Sequence, residues 1–134
     1  MKRVLLSLSF FLASYVAVNA QQVKPEWVTI KSANLKCWEC KESLDKYLLK
    51  EKGLQESGIV QWKMNLLQGE IRIQYLPNYI TPDGLRVALN NAGFDADAEK
   101  AEPDAYKKLS PACRRAEDGG GPQKGKSCHV EPIH

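Results

Sequence analysis

The chain has almost no surplus of charge, no apolar run long enough to cross a membrane and too little length for a second core. Each shortage removes a class of function. Its 134 residues hold 19 Lys and Arg against 16 Asp and Glu, and with Lys2 and Arg3 set aside as part of a leader the balance is 19 less 2, or 17, against 16. The two signs are interspersed, so no basic patch is offered to nucleic acid or to an anionic membrane. The apolar stretch 4–18 is interrupted by Ser7, Ser9 and Ser14, and falls short of the roughly 18 apolar residues that a spanning helix needs. No cysteine follows the small residues at its end, so lipid attachment is not expected there either. What remains is the pattern of a secretory signal peptide: a basic start, a short apolar stretch, and Val18-Asn19-Ala20 before Gln21. Residues 1–20 are therefore expected to be removed, with a membrane anchor as the alternative. The mature protein is expected to be exported, soluble and monomeric, and periplasmic in a Gram-negative host.

Four cysteines are present, and two of them form Cys37-Trp38-Glu39-Cys40. The pair lies where an alternating pattern gives way to a helical one, so the first thiol is expected in a loop and the second in the opening turn of a helix. There the unpaired N–H groups and the positive dipole end favour thiolate. Such a pair is either a soft-metal clasp or a redox couple. A structural staple is a poor explanation for this spacing, because so short a loop restrains little of the unfolded chain.

The surrounding pattern is that of a small α+β domain. Val28 and Ile30 alternate with Thr29 and Lys31 as a strand, and Leu44, Tyr47, Leu48 and Leu54 then recur on one face of a helix that Gly53 should close with a left-handed turn. Val60, Trp62, Met64 and Leu66 alternate with polar residues, and after Gln68-Gly69 so do Ile71, Ile73 and Tyr75, which predicts a hairpin with one buried face. Thr81-Pro82-Asp83 reads as the capped start of a second helix through Leu85, Ala88, Leu89 and Ala92, stopped by Gly93. A strand over residues 94–98, poor in β-formers, would complete a ferredoxin-like βαββαβ sandwich, two helices on a four-stranded antiparallel sheet.

In this register, residues 30–98 resemble the heavy-metal-associated domain of periplasmic mercury-binding proteins, copper chaperones and metal-pumping ATPases. The likeness rests on Cys37-x-x-Cys40 after the first strand, on Leu44 and Leu48, and on the ungapped run through Ile59–Leu66, Gly69, Pro77, Thr81-Pro82 and Gly93-Phe94. It implies a heavy-metal-associated domain over residues 21–98. Its function would be to capture Cu(I) or Hg(II), or Zn(II), through Cys37 and Cys40, for buffering or for transfer to a metal transporter or metal-pumping ATPase. It implies a binding protein and not an enzyme. By the same resemblance, Leu35 fills the place of a methionine that packs under the metal loop, and Phe94 lies in the second layer around it. Asn34 stands where the family carries glycine, and Trp38 and Glu39 replace small residues between the cysteines.

Soft thiolates select these ions, and two on an open loop suit an ion that must be handed on. A closed structural zinc site would need four ligands. The other reading of the same CxxC is a periplasmic thiol-disulfide oxidoreductase, which the βαββα order and the absence of proline between the cysteines disfavour. A third is a disulfide-stapled interaction module. In either exported setting, the unloaded Cys37/Cys40 pair is exposed to oxidation.

Residues 99–134 form a C-terminal extension outside the resemblance. A short helix is expected over 103–109, with Tyr106 and Leu109 packing back, before a tail holding Gly119-Gly120-Gly121-Pro122. Cys113, Cys128 and His129 are either a Cys113–Cys128 disulfide pinning the tail, the reading that the compartment favours, or ligands of a second soft-metal site or of the first. His134 reads as a solvated terminus.

Overall fold

A computed structural model of the protein describes residues 22–121. The expected signal peptide at 1–20, and Cys128, His129 and His134, lie outside the described residues. Three strands, β1 (Glu26–Lys31), β2 (Ile59–Asn65) and β3 (Glu70–Tyr75), form an antiparallel sheet in the order β1-β3-β2. Helix α1 (Trp38–Lys52) follows β1, and α2 (Pro82–Asn91) follows the hairpin. A short α3 (Pro103–Lys107) and two 3-10 turns, Pro111–Cys113 and Ala116–Asp118, make up the described part of the extension.

The buried face of the sheet is set by strand alternation: Ile30, Ile71, Ile73 and Tyr75 are buried, and Val28, Trp62 and Met64 pack partly against them. Leu44 and Leu48 of α1 and Leu85 and Leu89 of α2 enter the same core, so both helices cover that face. Thr81 caps α2 as its sequence predicts, its hydroxyl accepting from the Gly84 N–H at 3.1 Å with Pro82 in the first turn. Tyr106 and Leu109 do pack back on the domain, Leu109 as a buried member of the core.

The sheet departs from the expectation in having three strands and not four, so the fold is α+β without the complete ferredoxin-like sandwich. Residues 94–98 do not pair as a strand, and among them only an isolated bridge from Ala96 to Glu99 forms. The cause is local. Asp97 adopts φ 53°, a left-handed conformation that an extended strand cannot contain. Its own groups then do what a strand would have done at the end of β1: the Asp97 N–H donates to the Lys31 oxygen at 2.7 Å, and the Lys31 N–H donates to Asp97 Oδ1 at 2.9 Å. Asp95, two residues earlier, is turned inward to an ion pair described below.

A second departure concerns the end of α1. Gly53 closes the helix in a right-handed conformation, φ −70°, and the left-handed turns come later at Glu56 and Gly58. Leu54 is consequently outside the helix and 54% exposed instead of on its buried face.

Candidate functional site: a cluster of cysteine sulfurs

The loop from β1 to α1 is held by short backbone bonds, Ser32 N–H to Gly69 O at 2.7 Å and Leu35 N–H to Ser32 O at 3.2 Å. Cys37 ends this loop as the residue before α1, with extended backbone (φ −147°, ψ 177°), and its carbonyl accepts the Lys41 N–H at 3.0 Å. Cys40 lies in the first turn. This is the loop-to-helix placement expected of the pair. Their sulfur atoms are 3.6 Å apart.

The pair is neither open nor closed upon itself. Cys40 is bonded to Cys113, with a Cα–Cα distance of 5.4 Å across 73 positions of sequence. Cys37 is also disulfide-bonded. The expected Cys113–Cys128 staple is therefore not made, because Cys113 is already joined to Cys40. Burial differs from the expectation of a solvent-facing loop as well: Cys37 and Cys40 are 0% exposed and Cys113 is 1% exposed. Leu35 and Phe94, the two residues expected beneath and beside the loop, are fully buried in the same core cluster as these cysteines. By the loop-entropy argument, a bond spanning 73 positions stabilises the fold by about 4 kcal/mol. A bond between Cys37 and Cys40 would contribute far less. The connectivity thus turns a weak staple into a strong one.

The extension is placed by polar contacts as well as by the disulfide. Buried Asn34 uses its whole amide: Nδ2 donates to the peptide oxygens of Gly93 and Cys113, each at 3.0 Å, while Oδ1 accepts from the Asp95 N–H at 2.9 Å and from Ser32 Oγ at 3.2 Å. Gly93, at φ 95°, leaves room for α3, since a Cβ there would lie 2.9 Å from the Ala105 oxygen. Beyond Cys113, Arg115 forms a two-point ion pair with Asp95 at 2.7 and 2.8 Å, both side chains being largely buried. Burial pushes the Asp95 carboxyl up, but the Arg115 guanidinium and the Ala101 N–H outweigh it and hold it below the ordinary carboxylate value. Arg115 also stacks over the Tyr106 ring at 4.2 Å, and the Tyr106 hydroxyl accepts the Arg115 N–H at 2.8 Å.

Sequence reasoning missed Asn34, Asp95 and Arg115 as parts of this assembly. The available signal was the amide standing where the resembled family has glycine. An amide in a buried loop must find four partners, and the extension supplies one of them.

Disulfide sulfur has given up the negative charge that a soft ion requires, so the oxidised cluster does not fit a metal. In this disulfide-bonded form, no group of three or more His, Cys, Asp or Glu side chains among the described residues could hold a metal ion. Reduction changes the fit: two thiolates on a tetrahedral ion at about 2.3 Å lie about 3.8 Å apart, against the 3.6 Å observed between Cys37 and Cys40. A strictly linear ion would need the pair to open by about 1 Å at the same bond length. No helix among the described residues is long and apolar enough to cross a membrane. Compared with known proteins, the chain matches no family model and no curated sequence.

Proposed function

We propose that the protein is an exported soft-metal-binding domain whose sulfur site is closed in the disulfide form and competent for metal once reduced. The observation that carries this reading is the 3.6 Å separation of the Cys37 and Cys40 sulfurs at the loop-to-helix joint, a spacing that one ion can bridge with little movement. The positive end of α1 favours their thiolate forms. The cargo is Cu(I), Hg(II) or Zn(II), captured for buffering or for delivery to a metal transporter or metal-pumping ATPase. Oxidation acts as the off state. It does so through Cys113 and not through a bond between the two loop cysteines.

The test is an anaerobic titration of the fully reduced chain, beginning at Gln21, with Cu(I), Hg(II) and Zn(II). One tight equivalent is expected, lost in the Cys37→Ser/Cys40→Ser double variant and absent from the oxidised protein. Equal binding by the double variant would falsify the reading. Failure of the reduced wild type to bind any of the three ions would leave a disulfide-stapled interaction module in its place.

A further inference from the structure

Cys37, Cys40 and Cys113 are all buried, with the Cys37 and Cys40 sulfurs 3.6 Å apart and Cys40 bonded to Cys113, although the loop-to-helix joint at α1 contributes only the first two. What matters for the reduced protein is whether Cys113 leaves when its bond to Cys40 is cut. Its position is fixed by contacts that reduction does not touch. The Cys113 carbonyl accepts from Asn34 Nδ2 at 3.0 Å, and its N–H donates to the Ser110 oxygen at 2.8 Å. Two residues on, the Arg115–Asp95 ion pair clamps the chain, and Leu109 is buried four residues before. The Cys113 side chain is thus held from both flanks and through its own peptide group, in a site sheltered from water.

We propose that Cys113 is the third sulfur ligand of the reduced site, so that the cargo is a soft ion taking three thiolates, with Asn34 as the residue that positions the third. This rests on the metal-binding reading above. Opening the site requires a dithiol reductant. Its two electrons break the Cys40–Cys113 bond by thiol exchange, it leaves as its own disulfide, and its two protons pass to Cys40 and Cys113. The disulfide at Cys37 is opened by a second equivalent in the same way. The incoming ion then displaces the protons of the three thiols, and the three negative sulfurs favour a soft cation over a hard one. A two-cysteine loop has no such third donor, and the Asn34 amide is what a glycine at that position could not supply.

The experiment uses the reduced chain from Gln21, loaded anaerobically with one equivalent of Hg(II) or Cu(I). Remaining thiols are alkylated and mapped by peptide mass, and the sulfur neighbours of the metal are counted by X-ray absorption. Protection of Cys37, Cys40 and Cys113 together, with three sulfur neighbours, is expected. Cys113→Ser should fall to two sulfurs and bind at least tenfold more weakly. Asn34→Ala, which keeps the thiol but removes its anchor, should raise the alkylation rate of Cys113 in the loaded protein. Labelling of Cys113 as fast as in urea, with Cys37 and Cys40 protected, would overturn this inference and leave the proposed function standing. Metal protection of none of the three overturns both.

Discussion

Asn34 Nδ2 donates to the peptide oxygen of Cys113 at 3.0 Å across 79 positions of sequence, and the same amide binds Gly93, Asp95 and Ser32. One side chain therefore joins the loop before the cysteines, the end of α2 and the extension. Asn34→Ala should strand three buried backbone groups, those of Gly93, Asp95 and Cys113, and lower the stability of the oxidised protein by about 3 kcal/mol. Urea unfolding measures this. A loss below about 0.5 kcal/mol would show that water replaces the amide without penalty.

The connectivity itself is open to direct measurement. Proteolysis without reduction, with cleavage between Cys37 and Cys40, should yield a product in which Cys40 is joined to Cys113 and none in which Cys37 is joined to Cys40. Cys113→Ser should reduce the unfolding free energy by about 4 kcal/mol, the loop-entropy value for this separation. A Cys37–Cys40 peptide as the main product would refute the arrangement.

The Asp95–Arg115 pair should make the extension sensitive to acid. The folded carboxyl is held below its ordinary value of 3.8. Its contribution is then fully present above that value and lost as pH falls through the lower folded one. Midpoint unfolding temperatures should drop more steeply below about pH 4 in the wild type than in an Asp95→Asn/Arg115→Met variant. At neutral pH, Arg115→Met alone should cost about 3 kcal/mol by leaving the carboxylate buried and unpaired. Parallel pH profiles for wild type and double variant would count against the pair.

Asp97 replaces a missing strand with one residue, and its variants separate backbone from side chain. Asp97→Asn keeps the acceptor for Lys31 and tolerates φ 53°, so it should lose less than about 1 kcal/mol. Asp97→Ala loses the acceptor for the Lys31 N–H and the ion pair with Arg86, and should lose about 2 kcal/mol. Asp97→Val, β-branched in a left-handed position, should be worse still. Calorimetry ranks them, and a valine variant as stable as asparagine would contradict the account.

The parts of the fold legible in the sequence are those governed by periodicity. Ile71, Ile73 and Tyr75 could only bury one face, and Thr81-Pro82 could only begin a helix. The absence of the fourth strand is not legible, because a strand is inferred from alternation and position, whereas residues 94–98 are governed by two aspartates whose partners, Arg115 and Lys31, lie 20 and 66 positions away. The position of Cys37 and Cys40 at the start of α1 is legible, since the change of period marks that joint. The disulfide partner of Cys40 is not legible. Pairing among four cysteines depends on where the extension folds, and that is decided by Asn34, Gly93 and Arg115 acting across long separations, for which local pattern has no signal.

The bond between Cys40 and Cys113 also closes most of the domain into a covalent ring, which includes α1, the hairpin and α2. A protease that nicks an exposed turn inside the ring, beside Tyr79 for example, leaves one molecule and not two. Its pieces can separate only after the sulfur bond is reduced. The event that opens the cysteine cluster is therefore the same event that ends the protein's tolerance of a broken backbone, so in the presence of proteases its lifetime is set by thiol chemistry as much as by fold stability.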